Sequence, residues 1–588
     1  MSTTPLKDIL GVNSEIQLIL FSLVLAILAI PAVTWLVSTI RFHSSLRYFQ
    51  NAAGAKSLVA HLPPLLPYNM PILGHALAFL SNKPGSFHRR MQRHFAAHPH
   101  VGCLSVLLAG QRAHILADAD LIQRLFKARG LSRERFTRDI MVKANGLSLE
   151  DDFNAYVMVH PDGLTHAAMN EEVNKKHLLP QPAVNVLTSQ FMEVLQQRLK
   201  LKAEPFSDRS SSKEIPLYLF VRDNMFVAST TALHGSEIFK HNPDLNELFW
   251  PFVDGTLARL FQLGRFVAPD AYKALDTILD RWEQWYKHVQ SQANRGHTTD
   301  ADADWDPLTG ARAIRARQRM YQKLGLSERG CASFDLGFMF GLNSNAIPAT
   351  GWTLCHLLQP RNAELLAHVR SEVERARNPT DGSINMASLM GDCTYLNSCL
   401  HETMRCYVDV LITRTLTEDF TLGQYLMRKE DIIIAPSYVS HHDPVFWSQA
   451  PVCSSSSSRP ENVWYGERFL KHDAATGKVS FSTAGTAGRF FPFGGGTYLC
   501  PGRMFAKQEV FGAIASFLSL FDVEFVEYAS ASASASTGKA GDANDNMVAT
   551  MRRKGTDERM FPTVKQQFTG AGTVCPDGDV LVRIRRRE

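Results

Sequence analysis

A cysteine closes a glycine-rich turn in the segment Phe491-Pro492-Phe493-Gly494-Gly495-Gly496-Thr497-Tyr498-Leu499-Cys500-Pro501-Gly502-Arg503. Three consecutive glycines let the backbone approach something flat, and Pro501 suits the first position of a helix, where its missing N–H leaves no bond unmade. The spacing predicts Cys500 at a helix N-terminus. There, free amides and the helix dipole favour the thiolate, the form in which cysteine binds iron, and hydrogen bonds to the sulfur tune how much charge it donates. The plainer alternative is a structural cysteine buried after a glycine turn.

The pattern F-x-x-G-x-x-x-C-x-G, met by Phe493, Gly496, Cys500 and Gly502, resembles the haem-ligand loop of the cytochrome P-450 family. The resemblance implies a heme cofactor (iron protoporphyrin IX) with an axial cysteine thiolate: Cys500 is the expected metal ligand, and Phe493, Gly496 and Gly502 shape its loop. In that family an E-x-x-R pair on a helix joins a later arginine in a buried network beneath the haem, and Glu402, Arg405 and Arg468 fit those places. Spacing i, i+3 puts Glu402 and Arg405 on one helix face, and a guanidinium can hold a carboxylate while still donating to carbonyls. Glu372/Arg375 and Glu374/Arg377 share the spacing but read as a solvated, charged helix face. Only Glu402/Arg405 is followed in order by Arg414, His442-Asp443-Pro444 and Gly466-Glu467-Arg468-Phe469. Arg414 resembles the strand arginine that contacts a haem propionate, with a surface salt bridge as its alternative.

The oxygen-side helix departs from the family's usual A-G-x-D/E-T. The matching stretch is Gly341-Leu342-Asn343-Ser344-Asn345-Ala346-Ile347-Pro348-Ala349-Thr350, with Ser344 in the place of the acid and Asn345 in that of the threonine. Both are candidate catalytic residues. Pro348 cannot donate to the carbonyl of Ser344, so a kink is expected that leaves this carbonyl free. The Asn-x-x-Pro-Ala variant resembles the branch holding sterol 7α-hydroxylases and prostacyclin synthase, one inserting oxygen and the other rearranging a peroxide. An asparagine can hydrogen-bond oxygen or water without being a titratable acid, so either course stays open, as does simple capping of the kink. Tyr498 stands where many relatives carry Arg or His toward a propionate, and no tryptophan lies between Trp35 and Trp250 to form the usual W-x-x-x-R helix.

The elements that must position these residues are mostly helices. Leu357 to Arg377 and Met504 to Phe521 are long amphipathic runs, and β-like runs such as Asp431 to Ile434 are short. Hydrophobic residues make up 45% and charged residues 20%, enough for a large core. A net charge of +5 with no basic run interleaved with aromatics argues against nucleic acid. Nine cysteines without C-x-x-C pairing suggest neither a zinc site nor a disulfide framework. From Ile16 to Ile40 no residue is charged, and a helix of that length spans a ~30 Å hydrocarbon core. Arg41, Arg47 and Lys56 follow it, which places the bulk of the chain on the cytosolic side. The expected fold is therefore mainly α with a minor β-sheet, the cytochrome P-450 fold, preceded by one transmembrane helix. Its parts are a lumenal N-terminus (1–15), an anchor (16–40), a basic and proline-rich connector (41–75) and a catalytic domain (76–588). Low-complexity insertions lie at 454–458 and 529–537, and Asp300, Asp302 and Asp304 mark a solvated loop.

The resemblance implies a haem-thiolate monooxygenase that inserts one atom of dioxygen into a lipophilic small molecule, in the manner of filamentous-fungal members acting in terpenoid, sterol or polyketide metabolism. Expected partners are NADPH-cytochrome P-450 reductase, cytochrome b5 and membrane lipid. Arg503 and Lys507 are candidates for facing the reductase. The expected location is the endoplasmic reticulum membrane, single-pass, with the catalytic domain cytosolic. The alternatives are an electron-independent isomerase or dehydratase and a non-catalytic haem sensor.

Overall fold

The computed structural model describes residues 14–52, 60–80, 86–204, 212–295, 303–448, 462–473, 475–529, 561–565 and 570–587. Residues 1–13, the 454–458 insertion, 530–537, Asp300 and Asp302 lie outside them. Helices dominate and the strands are short, as expected. The chain forms two compact units: one from Met1–Ser81, Gly85–Ser132 and Ile412–Pro436, the other from Asn82–Pro84, Arg133–Leu411 and Ser437–Glu588.

In the first unit, Cys103–Leu108 and Gln111–Leu116 form an antiparallel hairpin, and the second strand pairs in parallel with Ile432–Pro436. The hairpin turns at Ala109 (φ 50°) and Gly110 (φ 86°), the two left-handed residues that a tight two-residue turn requires. The proline connector is more than a linker. Ser105 N donates to Pro64 O at 2.8 Å and Leu66 N donates to Ser105 O at 2.9 Å, so the connector lies along the hairpin's edge.

The helix Ser14–Ala52 belongs to this unit. Phe42, Leu46 and Phe49 are buried at i, i+4, i+7, a single face, and the Phe49 ring stands 5.0 Å from that of Tyr425. Ser38 Oγ donates to Tyr68 O at 3.0 Å and accepts from Tyr68 N at 3.1 Å. The expected transmembrane helix is corrected here: among the described residues no helix is long and apolar enough to cross a membrane. The backbone over 16–40 is helical, but the helix runs past Arg41 and Arg47 and docks its later turns on the unit. The side chains of 14–20 and 23–28 lie outside the described residues.

The second unit is organised around the helix Glu328–Leu357, capped by Ser327 Oγ, which accepts from Gly330 N at 3.0 Å. Every residue from Ala346 to Leu357 is buried, so this stretch is a core helix covered on all sides. It packs on Leu217–His234, Pro269–Asn294, Thr394–Tyr407 and Arg503–Leu520. A three-stranded antiparallel sheet holds Asp579–Arg586 between Phe521–Ala529 and Lys213–Pro216. Asp579 caps the helix Leu217–His234 by accepting from Tyr218 N at 2.7 Å and Leu219 N at 3.1 Å. The short strand Ala571–Thr573 pairs with Val408–Val410.

Candidate active site

Gly494 (φ 77°) and Gly496 (φ 66°) are both left-handed, which is why the loop before Cys500 needs glycine at those places. One short 3-10 turn follows at Gly496–Tyr498, and Cys500 N donates to Phe493 O at 3.0 Å. The next helix begins at Arg503 with Gly502 as its N-cap, two residues later than Pro501 suggests. Cys500 is half-buried just ahead of that helix. Burial raises its pKa overall, while the amides of Gly502 and Arg503 and the positive charges of Arg503 and Arg133 pull the other way. Without a metal the balance favours the thiol, and a bound metal ion would add the charge that deprotonates a coordinating thiol outright. The loop fits a flat group held by sulfur. A Cβ on Gly502 would meet no atom within 4 Å, and Gly496 to Leu499 are exposed.

Glu402 lies on the helix Thr394–Tyr407 and is fully buried with both arginines. Arg405 donates from Nε to Oε2 at 2.7 Å and from Nη2 to Oε1 at 2.9 Å. Arg468 Nε donates to both carboxylate oxygens at 3.0 Å, and Tyr465 N adds a bond to Oε1 at 3.0 Å. Two cations on one anion leave a net positive charge in the interior. The carbonyls of His441 (2.9 Å), Trp447 (3.0 Å) and Val463 (3.1 Å) accept further guanidinium donors, as a buried ion cluster needs. The sequence also brings together Asp443 and Arg489, an ion pair beside this network.

The competing pair Glu372/Arg375 is not a solvated face. Glu372 is buried and accepts from Tyr395 N at 2.8 Å and Leu396 N at 3.0 Å, capping the start of the helix that carries Glu402. Glu374 and Arg377 form an i, i+3 pair at 3.6 Å with the acid half exposed. Arg503 is also engaged inside the protein, since its Nη1 donates to Cys500 O at 2.9 Å. Lys507 lies over the Phe511 ring at 5.4 Å, and burial lowers its pKa. Both are half-buried.

Arg414 lies in the first unit, buried on the strand Val408–Thr415, with Nη1 donating to Thr413 O at 2.8 Å. It is no surface salt bridge. Beside Cys500 the second unit offers Arg133, which no motif marks. Its N donates to the Tyr498 hydroxyl at 3.4 Å. Desolvation lowers its pKa, opposed by Cys500 and Tyr498, although the residue counts as exposed by area. The only sequence signal was the arginine-dense run Ser132-Arg133-Glu134-Arg135.

Ser344 and Asn345 lie in mid-helix and bond backward along it. Ser344 Oγ donates to Phe340 O at 2.6 Å, Asn345 Nδ2 to Gly341 O at 3.3 Å, and Asn343 Nδ2 to Met339 O at 3.3 Å. Helical backbone continues through Pro348, and these three back-bonds precede it directly. Asn345 Oδ1 accepts from Thr573 N at 2.9 Å. Gly341, one turn earlier on the same face, is exposed, with no atom within 4 Å of an added Cβ. An open space therefore borders the helix at that point.

A mainly helical body, a left-handed glycine loop presenting one cysteine ahead of a long helix, and a buried Glu–Arg–Arg cluster together define a haem-thiolate protein. The chain belongs to the Cytochrome P450 family, whose model matches residues 63–532. It is 25% identical over 96% of its length to the Cytochrome P450 monooxygenase fsoE of Humicola fuscoatra, covering 95% of that protein. It is 28% identical over 79% of its length to Cytochrome P450 7A1 of Oryctolagus cuniculus, covering 87% of it. It is 26% identical over 79% to Cholesterol 7-alpha-monooxygenase of Cricetulus griseus, again covering 87%. The chain is accordingly an oxidoreductase, a P450 monooxygenase whose cofactor is haem with an axial cysteine thiolate.

Proposed function

We propose that Cys500 is the axial thiolate and that the enzyme inserts one oxygen atom into a C–H bond of a lipophilic secondary metabolite, a terpenoid, sterol or polyketide. The observation that carries this reading is the loop Phe493–Gly502, where glycine conformation and helix amides surround one half-buried sulfur. Bound there, the haem iron supplies dioxygen activation, with the thiolate donating electron density. Phe493, Gly496 and Gly502 shape the loop, and Glu402, Arg405 and Arg468 hold the helix and chain behind it. Arg133, beside Cys500 in the same unit, is the guanidinium assigned to a propionate. The test is a mass comparison, in the source organism with and without the protein, of the compound that accumulates and the product that disappears. A difference of one oxygen atom is expected, and an unchanged formula overturns insertion.

A second reading, an electron-independent isomerase or dehydratase, is favoured by one observation. Ser344 and Asn345 leave the two positions where most relatives carry an acid and an alcohol without a titratable acid, and the Asn345 carbonyl oxygen is already bonded. Turnover without NADPH would establish it.

The anchor and its setting belong to the same proposal. The uncharged run Ile16–Ile40 exposes Trp35, Leu36 and Ile40, and Ile72, Leu73 and Leu77 are exposed near the Ser38–Tyr68 contact. These exposed apolar side chains support attachment to a lipid surface, proposed to be that of the endoplasmic reticulum with the catalytic part cytosolic. Electrons then come from NADPH-cytochrome P-450 reductase, with cytochrome b5 as a second donor.

A further inference from the structure

Two side chains of the central helix reach out to one strand far along the sequence. Asn345 Oδ1 accepts from Thr573 N at 2.9 Å and from Thr573 Oγ1 at 3.4 Å. Trp352 Nε1 donates to Val574 O at 2.7 Å. Positions 345 and 352 are seven apart, so both lie on one helix face. A backbone N–H can only donate, which fixes the Asn345 amide with its oxygen toward Thr573 and its nitrogen toward Gly341. Val574 N donates to Tyr407 O at 2.9 Å, so the segment is also tied to the end of the Glu402 helix.

The strand fits this place only because two residues lack side chains. Gly572 is left-handed (φ 117°), and a Cβ there would stand 2.6 Å from Asn345 Oδ1. Gly570 (φ 87°) lies against Leu411 in the same way. The strand is thereby held against the helix next to Gly341, where the helix borders open space.

We propose that Asn345 is a positioning residue that, with Trp352, clamps Ala571–Thr573 as the wall beside Gly341, and that Gly572 sets how closely this wall stands and so which lipophilic molecules fit. The size selection rests on the P450 reading above, whereas the clamp does not. Asn345 acts here through the strand it holds.

Amide hydrogen exchange over residues 570–575 of the full-length protein tests the clamp. Asn345→Ala removes the acceptor and is expected to speed exchange at Thr573 about tenfold, the scale of one lost hydrogen bond. Asn345→Asp keeps an acceptor oxygen and is expected to retain protection. Gly572→Ala is expected to release the strand as Asn345→Ala does. Trp352→Phe keeps the ring and loses the N–H, giving a second route to the same release if Asn345→Ala folds poorly. Unchanged exchange in both Asn345→Ala and Trp352→Phe, or equal loss in Asn345→Asp, overturns the clamp. For the wall, titrations with imidazole and with 4-phenylimidazole are compared. Asn345→Ala is expected to change 4-phenylimidazole affinity about fivefold and leave imidazole unaltered, and equal shifts for both probes overturn the size role. A reduced carbon monoxide complex lacking the red-shifted Soret band in the wild type would count against Cys500 ligation, while the exchange result would still decide the clamp.

Discussion

Cys500 sits where an anion is favoured by two amides and two guanidiniums but disfavoured by burial, so its chemistry depends on what binds it. Cys500→Ser is expected to abolish the red-shifted Soret band of the reduced carbon monoxide complex while leaving the far-ultraviolet circular dichroism unchanged. Glu402→Ala leaves two buried guanidiniums without their carboxylate, a change that costs about 3–5 kcal/mol, measurable by denaturant unfolding. These residues were legible in the sequence because their motifs are local and occur in a fixed order. Glu372 was not, because its capping role depends on where the next helix begins. Nor was the role of Asn345, whose partner Thr573 lies more than two hundred positions away. Arg133 carries no motif and is identified by its place beside Tyr498 and Cys500.

Among the helices, the contact between Leu217–His234 and Arg503–Leu520 carries an unusual group. Glu509 is fully buried, its Oε1 accepting from Ser229 Oγ at 2.6 Å. Burial raises its pKa from 4.5 to about 8, partly offset by that hydroxyl. A raised carboxyl pKa means the native state keeps its proton after the unfolded chain has lost it. Its contribution is therefore fully present below pH 4.5 and is lost progressively as pH rises to about 8. Glu509→Gln cannot ionise and should match the wild type at pH 5 but exceed it at pH 8, on the order of 1–3 kcal/mol. Thermal or denaturant melts at the two pH values check this, and equal pH dependence in both proteins would reject the assignment. The run Met504 to Phe521 was legible as the helix Arg503–Leu520, whereas Leu357 to Arg377 divides into the end of the central helix and the helix Ala363–Arg375. The depth at which Glu509 lies was not, because a single carboxylate on an apolar helix gives no sign of which neighbour covers it.

On the scale of the whole chain, the apolar N-terminal stretch and the exposed Ile72, Leu73 and Leu77 act together in the proposed membrane setting. Deleting residues 1–40 should move much of the protein from the membrane pellet to the supernatant, and adding Ile72→Asp should release the rest. Recovery of the full-length protein in the supernatant of untreated membranes would refute the lipid attachment.

The sheet of the second unit places Asp579–Arg586 between its two partners, although it follows both in the sequence. Asp579 also caps the helix Leu217–His234. Lys213–Pro216 and Phe521–Ala529 therefore emerge from the ribosome hundreds and tens of residues before the strand that joins them. Until residue 586 has been synthesised, both strands and the unfinished helix end must be shielded by something else. A nascent chain stalled before that point would be a natural client for chaperones, and a premature stop codon there should send the protein to degradation rather than to a weakened enzyme.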